Sequence, residues 1–201
     1  MAESLRLFFA VPIDAAARAA VLDIRDVVRR ETGRTQVKWV EDENLHLSLK
    51  FLGDTPSDLV PRTTDVACEV AGQHSAFHFV LHGVGAFPNA RAPRVIWIGL
   101  SDGREPMAAL ATDLERGLAQ AALAEPEGRP FAAHLTLGRV REPRPNDALA
   151  GAIGAASSRE AGRVHCDHFV LMRSELARQG PTYSVLRRFD LPEGTENGKG
   201  A

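Results

Sequence analysis

The sequence predicts an α+β protein, and three observations carry that reading. Apolar periodicity switches repeatedly between a two-residue and a 3.6-residue repeat. The elements run β-α-β-α-β-β and then α-β-α-β-β, with strands following strands, unlike the steady alternation of a doubly wound parallel sheet. A strand bearing a histidine occurs in each half, at His46 and His134, 88 residues apart, so the second half loosely echoes the first.

Residues 6–11 read as the first strand, with Phe8 and Phe9 on opposite faces. Pro12 and Asp14 start a helix over 14–31, where Ala17, Val21, Ile24 and Val28 recur at spacings of three or four, and Gly33 ends it. Residues 37–40 suit a short strand. Over 44–52, Leu45, Leu47, Leu49 and Phe51 fall on one face and His46, Ser48 and Lys50 on the other, until Gly53-Asp54 closes the strand. A helix is predicted at 57–72. Strands at 77–87 and 94–100 flank a loop holding two prolines and an asparagine. A second long helix fits 105–122, and 125–130 is a loop. Residues 133–140 form a strand with Leu135 and Leu137 on one face and His134 and Thr136 on the other. An Ala-rich helix fits 146–157, and strands fit 164–173 and 182–190. The polar tail, 193–201, is predicted to be disordered.

The composition narrows the class. The chain has 201 residues, 44% hydrophobic and 25% charged, which is ordinary globular usage. Its longest apolar runs, 7–13 and 95–100, are too short to span a bilayer. The N-terminus carries an acidic residue, Glu3, before its apolar stretch and lacks a small-residue cleavage site, so a soluble cytoplasmic protein is expected. Lys and Arg number 24 against 26 Asp and Glu, a net charge of −2. A protein that wraps many phosphates needs a broad basic surface, so any contact with nucleic acid should involve few of them. Cys68 and Cys166 form no CxxC pair and no zinc spacing; reduced thiols in or near the core are expected.

The residues with chemistry are His46-Leu47-Ser48-Leu49 and His134-Leu135-Thr136-Leu137, each a histidine, an apolar residue, a hydroxyl and an apolar residue. Residues two apart on a strand face the same way, so each strand buries leucines and offers an imidazole beside a hydroxyl. Side by side, two imidazoles and two hydroxyls converge. That set suits phosphoryl chemistry without a metal: one imidazole takes a proton, one gives a proton, and hydroxyls bind phosphate oxygens. The plain alternative is two half-buried strands with polar outer faces. Lys50, on the His46 face by alternation, reads as a solvated strand-end lysine. Residues 129–144 hold Arg129, Arg139, Arg141 and Arg144 against Glu142, which suits either a modest landing patch for RNA backbone or a solvated loop. His74, His78 and His82 read as surface histidines, and His165-Cys166-Asp167-His168 cannot all reach one ion from a strand. No P-loop occurs.

These motifs carry a family resemblance. The chain resembles the bacterial RNA 2′,3′-cyclic phosphodiesterase family, also called 2′-5′ RNA ligase, of the 2H phosphoesterase superfamily. The matching pieces include Arg6-Leu7-Phe8-Phe9-Ala10-Val11, Trp39-Val40, Asn44 through Gly53, Phe87-Pro88 and Val95 through Leu100. They continue through Pro130-Phe131, His134 through Val140, Arg173-Ser174-Glu175-Leu176 and Tyr183, spanning almost all of residues 5–191. The resemblance implies a bilobal fold, two pseudo-symmetric lobes with antiparallel sheets around a central cleft, in a single unit over 1–192. It implies His46 as proton donor, His134 as proton acceptor, and Ser48, Thr136 and Arg139 as phosphate ligands. Strict alternation puts Arg139 on the leucine face, so the strand must end or twist near Gly138. Phe9 matches a family aromatic that stacks on a nucleobase; a core phenylalanine is the alternative.

The implied activity is metal-independent hydrolysis of RNA 2′,3′-cyclic phosphate ends to 2′-phosphates, with ATP-independent 2′-5′ ligation as its reverse. No cofactor, membrane or ATP is implied, and a monomer is expected. A cyclic phosphodiesterase for a cyclic nucleotide or an ADP-ribose cyclic phosphate keeps the chemistry and changes the substrate. A non-catalytic module that binds RNA ends is a third reading. Ser48 stands where the family more often has threonine, and Ala133 where it often has proline.

Overall fold

A computed structural model of the chain describes residues 3–32, 36–176 and 180–194. Among them are nine strands and four α-helices: β1 (Ser4–Pro12), α1 (Ala15–Arg30), β2 (Val37–Trp39), β3 (His46–Pro56), α2 (Val60–Ala71), β4 (Phe77–Phe87), β5 (Val95–Asp102), α3 (Arg104–Gln120), β6 (Leu135–Val140), α4 (Asp147–Ala155), β7 (Glu160–Cys166), β8 (His168–Leu176) and β9 (Pro181–Asp190). The α1 start is capped as its sequence suggests, with Asp14 accepting from the Ala17 amide at 2.8 Å; Asn146 caps α4, accepting from the Leu149 amide at 3.0 Å. Pro61 stands in the first turn of α2, where its missing N–H costs no hydrogen bond.

All strand pairs are antiparallel. One group runs β3-β1-β8-β9 and the other β6-β5-β4-β7, with β2 on the free part of β6. The two groups meet at one residue pair, Leu47 with Leu135, between the two histidine strands. The expected two lobes are therefore halves of one curled sheet, joined by a narrow seam. Helices α2 and α3 pack on the first half, against β9 and β3; α1 and α4 pack on the second, against β7 and β4. The main core lies under these helices, where Leu47, Leu135, Leu137, Val21, Val28, Leu110 and Leu114 are all fully buried. Phe8, Ala10 and Val170 form a small separate cluster on the other face, with Met172 and Tyr183 against it.

Two element boundaries differ from expectation. The strand predicted at 164–173 is two strands split at Asp167: β7 pairs with β4 in one half, while β8 pairs with β1 and β9 in the other. Asp167 is the one turn-forming residue type at the break. The chain changes partners there, and the Asp167 carbonyl accepts from the Leu191 amide at 2.8 Å. The strand predicted to close at Gly53-Asp54 continues to Pro56, because Gly53 takes a positive φ of 69° beside a bulge in the β1 pairing and the ladder resumes. Cys166 is buried as expected, but Cys68 is exposed on α2; both are free thiols. The predicted helix stop at Gly33 and residues 195–201 of the predicted tail lie outside the described residues. No helix among the described residues is long and apolar enough to cross a membrane.

Candidate active site

The seam builds the site. Leu47 and Leu135 are antiparallel partners with side chains in the core, so the residues on either side of each point to the opposite face. Antiparallel register carried one residue each way sets His46 opposite Thr136 and Ser48 opposite His134. The two imidazoles occupy one diagonal of this square and the hydroxyls the other, with diagonal positions roughly 7–8 Å apart. The centre of the square has an imidazole position on either side.

Each motif strand also carries a β-bulge on its last motif residue. In β3, Phe9 pairs with Lys50 and Ala10 with Ser48, so Leu49 is the extra residue. In β6, Ile96 pairs with Gly138 and Trp97 with Thr136, so Leu137 is the extra residue. A bulge sets two successive side chains on the same side and reverses the alternation after it. The residue five past each histidine is thereby turned onto the histidine face: Phe51 in one half, Arg139 in the other. This is the twist that Arg139 required. Gly138 is needed for a further reason, since a Cβ there would lie 2.8 Å from Val37 and 2.9 Å from Trp39 on β2.

The histidines are oriented alike. His46 Nδ1 donates to the Asn44 carbonyl at 2.7 Å, and His134 Nδ1 to the Ala132 carbonyl at 2.7 Å. Both rings thus carry the proton on Nδ1 and present Nε2 for chemistry. Ser48 Oγ lies 3.1 Å from His46 Nε2 and donates to it when the ring is neutral. The His46 ring is packed against Phe8 at 5.1 Å and Tyr183 at 5.5 Å. That burial pushes its pKa down to about 4, against the opposing effect of the Asn44 hydrogen bond. Burial also lowers the His134 pKa, with Arg139 as a smaller contributor in the same direction.

In front of these groups lies a cleft of about 750 Å³. Ser48, His134, Thr136 and Arg139 line it, together with Phe51, Phe87, Arg94 and Arg129. Phe51 and Phe87 are exposed there, and Phe87 stands edge-on to His134 at 5.2 Å. Among the described residues, no group of three or more His, Cys, Asp or Glu side chains is arranged to hold a metal ion.

The family model of the 2′-5′ RNA ligase superfamily matches residues 12–178. The chain belongs to the 2′-5′ RNA ligase superfamily. It is 36% identical over 187 residues to an RNA 2′,3′-cyclic phosphodiesterase of Methanothermobacter thermautotrophicus, covering 93% of this chain and 99% of that one. It is 37% identical over 186 residues to an RNA 2′,3′-cyclic phosphodiesterase of Archaeoglobus fulgidus, covering 92% and 100%. The crystal structure of TT0787 of Thermus thermophilus superposes with a TM-score of 0.77 at 31% identity, covering 94% of this chain and 98% of that one.

Within this 2′-5′ RNA ligase superfamily fold, His46, His134, Ser48, Thr136 and Arg139 come together, and two expectations need correction. Phe9 does not reach the cleft. It is fully buried on the helix side, with its ring 6.0 Å from Phe169 and 5.9 Å from Phe189. Phe8 is the β1 aromatic on the histidine face, and it supports His46 from behind. Lys50 is not solvated. The Leu49 bulge turns it inward, and it is 4% exposed. Its ammonium donates to Glu115 and to the Glu125 carbonyl, each at 3.0 Å, and lies 3.3 Å from Glu127. Glu115 also accepts from the Glu127 amide. Lys50 therefore ties the 125–131 loop, which lines the cleft, to α3. Glu115→Ala is expected to lower stability in urea by about 3 kcal/mol, the scale for leaving a buried charge short of a partner, and to raise KM through the loosened loop.

Sequence reading missed the aromatics Phe51, Phe87, Phe8 and Tyr183 and the cation Arg94 as parts of this site, whereas Arg129, which the sequence offered as part of a landing patch or a solvated loop, lines the cleft. Phe51 is readable only with the bulge known. Arg94 and Phe87 lie at the turn of the β4–β5 hairpin, and the pairing that brings them to the cleft, β5 with β6, is one that no local pattern announces. Of the other histidines, His78 stacks on His165 across β4 and β7 at 4.6 Å. His74 is not a free surface residue; it bonds Asp113 at 3.0 Å.

Proposed function

We propose that the chain hydrolyses the 2′,3′-cyclic phosphate at RNA 3′ ends, with His134 as general base and His46 as general acid. The observation that carries this is the diagonal arrangement of two Nε2-presenting imidazoles about two hydroxyls, in a chain whose relatives are RNA 2′,3′-cyclic phosphodiesterases. His134 Nε2 removes a proton from water as its oxygen attacks phosphorus. The bond from phosphorus to the 3′-oxygen breaks on the far side, and His46 Nε2–H protonates that oxygen. A 2′-phosphate and a 3′-hydroxyl remain. Thr136 and Ser48 donate to the non-bridging oxygens, and Arg139 balances the charge that builds on them. To do so, Ser48 must release His46 Nε2, which the proton then occupies. Phe51 supplies an exposed ring on which the terminal base stacks. Run backwards with a 5′-hydroxyl in place of water, the same groups form a 2′-5′ linkage without ATP.

A short RNA ending in a 2′,3′-cyclic phosphate tests this directly. The expected product is the 2′-phosphate, formed equally well in EDTA. Turnover of 2′,3′-cyclic mononucleotides alone would move the substrate to small nucleotides; tight binding without turnover would make the chain an RNA-end binding module.

The lowered histidine pKa values set a pH signature. In the free enzyme both rings are neutral at pH 7, whereas the reaction needs His46 protonated, so the rate gains from protons until His134 also takes one. The pH profile of kcat/KM, which reports the free enzyme, is expected to peak below pH 6.5 and to fall through neutrality. Stability runs the opposite way. A histidine whose folded pKa is depressed leaves the unfolded chain binding more protons below pH 6.5, so Tm is expected to fall as pH drops from 6.5 towards 4. His46→Gln should flatten that fall; an unchanged slope would place the titration elsewhere.

A further inference from the structure

Outside the cleft, the described part of the chain holds a second concentration of unpartnered positive charge. Lys38 on β2 is the cross-strand neighbour of Arg139, so both side chains rise from the same face of the sheet. The Arg141 amide continues this ladder by donating to the Gln36 carbonyl at 3.0 Å, which returns the Arg141 side chain to the Arg139 face two residues on. The ammonium of Lys38 lies 3.2 Å from the point where a side chain on Gly180 would begin, just before β9. Beyond it, a groove of about 410 Å³ wraps the free edge of β2, lined by Arg29, Thr32, Gln36, Lys38, Trp39 and Arg141.

Arg29, Lys38 and Arg141 are exposed, and none has an ion-pair partner among the described residues. Of the two acids lining the adjoining groove, Asp42 is held by Arg25 at 2.7 Å, and Glu41 makes no ion pair among the described residues. A chain of net charge −2 thus aligns Arg94, Arg129 and Arg139 in the cleft with Lys38, Arg141 and Arg29 outside it. Unpaired cations this close repel one another and destabilise the fold unless an anion visits them. A single compact phosphate, already gripped at the seam, cannot reach the outer three. A strand of phosphates can.

We propose that the RNA strand leading to the cyclic phosphate leaves the cleft over β2 and lays its upstream phosphates along Lys38, Arg141 and Arg29. The preferred substrate is then an oligonucleotide end, not a free cyclic nucleotide. This rests on the cyclic-phosphodiesterase reading above and extends it from the reacting phosphate to the chain behind it.

The test compares a six-nucleotide RNA ending in a 2′,3′-cyclic phosphate with 2′,3′-cyclic AMP over a range of salt concentrations. The wild type should prefer the hexamer at low salt and lose that preference as salt rises. Lys38→Gln, Arg141→Gln and Arg29→Gln combined should lower kcat/KM for the hexamer by about tenfold at low salt and reduce its log–log salt slope by about two, given a single-strand slope near −0.7 per phosphate. Turnover of the cyclic mononucleotide should not change. The Arg29→Gln, Arg141→Gln pair, which keeps Lys38 beside Arg139, should show the same selectivity to a smaller degree. An unchanged hexamer rate and slope, or an equal fall on both substrates, overturns the proposal. If the wild type turns over neither substrate, the hydrolytic reading fails on its own. Fluorescence anisotropy with the hexamer then decides the track: weaker binding by the triple variant supports it and equal binding overturns it.

Discussion

His134→Ala is expected to lower kcat on an RNA 2′,3′-cyclic phosphate by about 10²–10⁴-fold, and His46→Ala to do the same, the range for losing a positioned general base or acid. The two groups act on one transition state, so the double variant should fall little below either single one. Each ring holds one carbonyl through Nδ1, and neither belongs to the main core. The variants should therefore stay folded, which circular dichroism checks. Near-normal kcat in either would end the acid–base assignment. The pH profile separates a chemical loss from a structural one: each single variant should lose one limb of the kcat/KM curve, while a merely distorted site keeps both.

The second large effect concerns two aromatics whose roles the fold exchanges. Phe9→Ala is expected to cost about 3–5 kcal/mol in urea unfolding, the scale for truncating a buried phenylalanine. The ring is fully buried against Phe169 and Phe189 and has no route to substrate. Phe51→Ala should do the reverse. Its ring is 56% exposed at the cleft, so stability should change by less than about 1 kcal/mol while KM rises. If Phe9→Ala proved stable and raised KM alone, the face assignment of β1 would be wrong.

These two residues show how far the sequence can be read. Phe8 and Phe9 are legible as lying on opposite faces, but nothing in Arg6–Val11 says which face meets helices and which meets the histidines. That depends on Phe169 and Phe189, 160 and 180 residues further along, coming to lie beside Phe9. Alternation assigns Lys50 and Phe51 to the wrong faces because it assumes an unbroken ladder. The bulge at Leu49 exists only in the pairing with β1, so no period in β3 itself reveals it. The strand predicted at 164–173 fails for a related reason: its two parts have equally good strand patterns and different partners.

By itself the sequence determined the α+β class, most element positions and the two histidine–hydroxyl motifs, because these rest on local spacing and side-chain chemistry. Only the tertiary structure decided how the motifs combine. One residue pair, Leu47 with Leu135, sets the imidazoles on a diagonal, and matched bulges at Leu49 and Leu137 turn Phe51 and Arg139 onto the same surface. Register and bulges are properties of two strands at once, and the strands here are 88 residues apart in the chain.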